Sequence, residues 1–91
     1  MEKEAYKIIV TGRVQGVWFR KYTKLKADKL LLKGFVKNLK DGNVYIEIEG
    51  FSNEIQAFMD WLSIGSPLSK VVKVFKEKIE IKNYNYFDIR Y

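Results

Sequence analysis

Apolar and polar residues alternate from Ala5 to Val10, with Tyr6, Ile8 and Val10 on one side and Lys7 on the other, before Gly12 interrupts the pattern. This predicts a strand and then a loop. From Phe19 the spacing lengthens to Phe19, Thr23, Ala27 and Leu30, with Tyr22 beside them, while Lys21, Lys24, Lys26, Asp28 and Lys29 fall mainly on the opposite side. That is the period of a helix with one wet face. After Gly34, Phe35 to Leu39 reads as a strand running into Asp41-Gly42, a hairpin signal, and Val44, Ile46 and Ile48 return on one face opposite Tyr45, Glu47 and Glu49. Ser52 is the predicted N-cap, and Glu54 the first-turn acid, of a second helix that turns Ile55, Phe58, Met59 and Leu62 inward and stops at Gly65-Ser66-Pro67. Val71 to Ile81 is rich in strand formers, and Phe87, Ile89 and Tyr91 alternate with Asp88 and Arg90 as a final short strand.

The order βαββαβ with an extra terminal strand predicts an α+β sandwich of the ferredoxin-like type, an antiparallel sheet with both helices on one face. Residues 1–91 are expected to form one domain, since the chain is too short for two cores. Trp61 is off the main stripe of the second helix and is expected to be partly exposed. The cluster Tyr84, Tyr86, Phe87 and Tyr91 is expected to complete the core and the sheet edge.

Composition narrows the chemistry. The chain has no Cys and no His, which removes thiolate nucleophiles, Ser-His arrangements, the commonest neutral-pH base and the usual zinc ligands. No metal or cofactor is expected. Seventeen Lys and Arg against eleven Asp and Glu leave a net charge of +6, which favours anionic partners. The longest apolar runs are far too short to span a bilayer, and the charged start Met1-Glu2-Lys3-Glu4 does not resemble a secretory signal. The expected form is a cytoplasmic monomer without a nucleic-acid or membrane partner.

The segment before the first helix, Arg13-Val14-Gln15-Gly16-Val17-Trp18-Phe19, offers no Ser, Thr, Asp or Asn as a cap. A helix begins with about four unpaired amides and a roughly half-unit positive charge, so an uncapped start attracts an anion. Arg20 in the first turn is opposed by that dipole, and no acid occurs between Gly12 and Lys26 to neutralise it. A phosphate seated in the loop would reverse both objections, with Gly12 and Gly16 allowing the curve. The plainer reading is a flexible connection whose Arg20 faces water.

The loop is not a nucleotide P-loop, for it lacks the Gly-Lys-Ser/Thr ending, and Val14 stands where a cysteine phosphatase would carry its nucleophile. Direct attack of water on a bound phosphoryl group is then the economical reaction. Asn38 shares a strand face with Val36 and has both a donor and an acceptor, so it could hold that water; alternatively it bonds the hairpin backbone.

Val10-Thr11-Gly12-Arg13-Val14-Gln15-Gly16-Val17-Trp18-Phe19-Arg20 resembles the signature of the acylphosphatase family. Gly34-Phe35-Val36-Lys37-Asn38, followed by Gly42-Asn43-Val44 and Gly50, resembles its second signature. Trp61-Leu62-Ser63, Gly65-Ser66-Pro67 and Phe87-Asp88-Ile89-Arg90-Tyr91 look like the vertebrate-type members in particular. The resemblance implies metal-independent hydrolysis of acyl phosphates to a carboxylate and inorganic phosphate. It also implies that Arg20 and the amides of Val14, Gln15, Gly16, Val17, Trp18, Phe19 and Arg20 bind the phosphate, and that Asn38 orients the water. Leu31 departs from the family, where a glycine often follows the first helix, and Val71 to Tyr84 matches little.

Two rivals have the same composition. A basic ferredoxin-like domain is also the architecture of an RNA-recognition module, but Tyr45 flanked by Glu47 and Glu49 is a poor platform for nucleotides. The lysine-rich helix could serve a catalytically silent interaction domain. Trp18 is expected to pack in the loop rather than meet substrate.

Overall fold

A computed structural model describes residues 2–91. Its elements are β1 (Lys3–Arg13), α1 (Phe19–Lys29), β2 (Lys33–Asn38), β3 (Val44–Phe51), α2 (Ser52–Ile64), β4 (Lys70–Ile79) and β5 (Phe87–Arg90). They form one five-stranded sheet in the order β4-β1-β3-β2-β5. The first four strands pair antiparallel, giving the expected ferredoxin-like α+β arrangement, while β5 adds to the edge parallel to β2, with Gly34 opposite Phe87. The parallel direction follows from the long return from β4, at the far edge, through residues 80–86.

The predicted alternation becomes the core. Ile8, Val10, Val36, Val44, Ile46 and Ile48 point from the sheet to one face and meet Phe19 and Ala27 of α1 and Ile55, Phe58 and Leu62 of α2. Apart from the small Ala27, each of these side chains withdraws on the order of 1.5–3 kcal/mol worth of apolar surface from water, the main driving force for closing the helices on the sheet. Trp61 is half-buried, as its position off the stripe implies, and its ring approaches Phe19 at 5.8 Å and Phe58 at 6.3 Å.

Several local expectations need correction. Ser52 is not the N-cap of α2: Phe51, in extended conformation, occupies that place and makes no side-chain cap bond. Strand β3 runs directly into the helix, so Ser52 is already its first residue. In the C-terminal aromatic cluster only Phe87 joins the core; Tyr86 and Tyr91 are exposed. Leu31 does take the left-handed exit that its sequence opposes, at φ 58°. The amide of Leu31 donates to the Asp28 carbonyl and that of Leu32 to the Ala27 carbonyl, the paired bonds of a Schellman ending normally built on glycine.

The outer sheet face departs most from the sequence reading. Glu47 and Glu49 are buried beneath residues 82–84. The Glu49 carboxylate accepts from the amides of Lys82, Asn83 and Tyr84. Glu47 accepts from the Lys82 ammonium at 2.8 Å, the Tyr84 hydroxyl at 2.8 Å and the Tyr45 hydroxyl at 2.7 Å. Burial works to raise the pKa of Glu47, but these donors outweigh it and hold the carboxyl below the usual range.

Candidate active site

The loop between β1 and α1 is fixed from inside and from both flanks. Val14, Val17 and Phe19 are buried and anchor it in the core. Between these anchors, Gly16 at φ 72° and Trp18 at φ 63° bend the chain. The Gln15 side chain points away from the loop and donates to the carbonyls of Leu39 and Asn43, each at 2.8 Å, stitching the loop to the β2–β3 hairpin. From the turn after α2, the Ser66 hydroxyl donates to the Val17 carbonyl at 3.2 Å. Gly12 stands where the β1–β4 register shifts, and a side chain there would strike the Lys70 carbonyl.

Trp18 occupies the N-cap position of α1 without a side-chain cap bond, and no acid lies in the first turn. Among the described residues, no amide from Val14 to Arg20 donates to a protein acceptor. The helix start is therefore as uncapped as its sequence suggests. Arg20 projects from the first turn toward β5, where its Nη1 donates to the Arg90 carbonyl at 3.1 Å and its guanidinium carbon is 4.6 Å from the Tyr91 ring centre. Lys24 reinforces that edge by donating to the Phe87 carbonyl at 2.9 Å.

Asn38, at the end of β2, has its Oδ1 buried with no hydrogen-bond partner. The turn that it was the alternative candidate to cap is served by Asp41, whose carboxylate accepts from the amide and side chain of Asn43. An unpaired buried acceptor costs about 1–3 kcal/mol, which an ordered structure tolerates where something is bound.

A cleft of about 670 Å³ opens over these groups. Val14, Gly16, Trp18, Phe19, Arg20 and Asn38 all line it, so Arg20 and Asn38, 18 positions apart in sequence, share one space. Gln15 and Val17 are absent from its wall, since one side chain faces the hairpin and the other the core. Lys21 and Lys24 add positive charge, and no Asp or Glu side chain lines the cleft. The expectation that Trp18 packs is corrected: its indole is largely exposed and forms part of the cleft wall. The stitching by Gln15 and Ser66 has no local signal, because its partners are 24, 28 and 49 residues distant.

The sequence model of the acylphosphatase family matches residues 6–89. The chain belongs to the acylphosphatase family. It is 45% identical over 87 residues to the acylphosphatase of Bacillus subtilis (strain 168), covering 94% of this chain and 96% of that protein. To the acylphosphatase of Archaeoglobus fulgidus it is 44% identical over 87 residues, covering 96% and 98%. The crystal structure of acylphosphatase from Bacillus subtilis superimposes with a TM-score of 0.94 at 43% identity, over 97% of this chain and 99% of that one. These relatives are bacterial and archaeal.

Proposed function

We propose that this chain carries out the family's acyl phosphate hydrolysis with the loop amides, Arg20 and Asn38 alone, as a single-domain cytoplasmic monomer without metal or cofactor. The observation that carries the reading is the meeting, in one cleft without Asp or Glu, of an uncapped helix start and the unpartnered Oδ1 of Asn38. The phosphoryl group sits against the amides of Val14 to Arg20, where partial positive charge awaits it. Arg20 exchanges its carbonyl partner for the phosphoryl oxygens and neutralises charge that grows on them as the bond to the acyl oxygen breaks. Asn38 Oδ1 accepts from the attacking water and points its lone pair at phosphorus. A carboxylate leaves readily, so little acid catalysis is needed and the work is positioning and electrostatics.

The scheme calls on no group from a second copy of the chain. No helix among the described residues is long and apolar enough to cross a membrane. Residues 82–84 cover Glu47 and Glu49 of β3, which argues against nucleotide stacking on that strand.

The test is hydrolysis of a simple acyl phosphate with a chelator present and inorganic phosphate as competitor. Arg20→Ala should lose on the order of 10³-fold in turnover and weaken inhibition by phosphate, and Arg20→Lys should not restore it, since an ammonium lacks the planar fork. Asn38→Ala should lose turnover while phosphate still inhibits. Turnover abolished by the chelator, or unchanged in Asn38→Ala, refutes the scheme.

A further inference from the structure

Trp18 holds a backbone conformation that bulky residues avoid. At φ 63° and ψ 16° it is left-handed, a state disfavoured by roughly tenfold for a residue with a Cβ. Its indole is largely exposed, so core packing does not keep it there. Phe19 beside it is already helical. A left-handed residue followed by a right-handed one turns successive amides to one side, here those of Trp18, Phe19 and Arg20, and such a concavity suits an anion. The strained residue thus gives the cradle its curve at the helix start.

Two bonds clamp it, one on each side. On the helix side the Trp18 carbonyl accepts from the Tyr22 amide at 3.1 Å. On the loop side the Val17 carbonyl accepts from the Ser66 hydroxyl at 3.2 Å, and both residues are buried. The peptide bond between Val17 and Trp18 is trans, so the Val17 carbonyl and the Trp18 amide point in opposite directions from one plane. Holding the carbonyl toward Ser66 turns the amide away, to the side without a protein acceptor. Ser66 is itself fixed: its carbonyl accepts from the Ser69 amide at 3.0 Å and the Ser69 hydroxyl at 2.8 Å. The Gly65 amide before it donates to the Trp61 carbonyl at 2.8 Å, and a side chain at Gly65 would meet Phe19, so this turn packs against the first residue of α1.

We infer that Ser66 is a positioning residue for the reaction: its hydroxyl locks the Val17–Trp18 peptide in the orientation that presents the Trp18 amide to the phosphoryl group. The inference rests on the phosphate-loop reading above. Rotation of that peptide, through ψ of Val17 and φ of Trp18, would release the left-handed strain and swing a carbonyl oxygen to where the amide stood. Ser66 opposes the rotation, which would leave a buried hydroxyl without its acceptor. Without the lock, only a fraction of the molecules has the cradle formed, and apparent affinity falls by that fraction. A bound phosphoryl group draws the loop back to the competent form, so the lock acts on binding and spares the chemical step at saturation.

The test is inhibition by inorganic phosphate, which carries no acyl group, alongside hydrolysis of acetyl phosphate. Ser66→Ala should raise the phosphate Ki and the KM together by about tenfold, the population factor of the left-handed state, with kcat within about threefold of the parent. Ser66→Cys, close in size with a weaker donor, should fall between the two, and it supplies the measurement where the alanine variant does not fold. Asn tolerates the left-handed backbone, so in a Trp18→Asn background Ser66→Ala should raise Ki by less than about threefold. An unchanged Ki in the folded Ser66 variants, a loss confined to kcat, or an equal rise in both backgrounds overturns the lock alone. If the parent chain neither binds phosphate nor hydrolyses acetyl phosphate, the reading beneath the lock falls with it.

Discussion

Gln15→Ala isolates the stitch between the phosphate loop and the hairpin bearing Asn38. The substitution removes two hydrogen bonds of 2.8 Å, to the Leu39 and Asn43 carbonyls. Neither carbonyl is orphaned, because the Gly42 amide still donates to Leu39 and the Leu39 amide to Asn43. The loss is then the net value of two ordinary bonds, about 1 kcal/mol each, without an added desolvation penalty. About 2 kcal/mol should lower the melting temperature of a domain this small by roughly 8–16 °C. Urea denaturation should show a lower midpoint with an unchanged slope, since the surface exposed on unfolding barely alters. Activity should fall further than stability suggests. The stitch sets the distance between loop amides and Asn38, and a misplacement near 1 Å can cost on the order of 10²-fold in rate. Gln15→Glu should be worse than Gln15→Ala, because it sets a carboxylate against two carbonyl oxygens. A loss of stability under about 0.5 kcal/mol with full acyl phosphate hydrolysis would refute the reasoning.

Leu31→Gly should stabilise the chain: the side chain is 77% exposed while the left-handed backbone penalises it, and after glycine's larger unfolded-state entropy the gain is about 0.5–1 kcal/mol, read as a higher melting temperature. Glu47→Gln should flatten the acid limb of stability. The depressed carboxyl contributes above the ordinary glutamate pKa of about 4.3 and loses that contribution as pH falls through its lower folded value. Urea midpoints from pH 3 to 7 should therefore show the deficit of the variant shrinking toward low pH, and a constant deficit would count against the ion pair. Lys82, raised first by its bond to Glu47, gives its share below its ordinary pKa of about 10.4 and loses it as pH climbs through the higher folded value.

Most of the fold is visible in the sequence because its signals are local. Alternation in β1 and β3 and the spacing of Phe19, Thr23 and Ala27 each need only a few neighbouring residues. The loop is legible for a different reason: a missing cap and a missing acid are conspicuous in any sequence. Period two also assigned Asn38 to the inner side with Val36. The same period puts Glu47 and Glu49 on the outer side but carries no information on whether that side is wet, and residues 82–84 cover it. That cover has no periodicity of its own. Trp18 departs from the burial usual for a tryptophan because its left-handed backbone turns it outward.

Glu49 has a consequence for where free anions can settle on so basic a chain. Its carboxylate stoppers the amides of residues 82–84. As part of the same chain it is a tethered occupant, present at an effective concentration that dissolved phosphate, at millimolar levels, cannot match. The loop at residues 14–20 has similar main-chain donors but no built-in stopper. Discrimination between the two hollows therefore rests on a single acidic residue present in one and missing from the other, rather than on the overall excess of lysine.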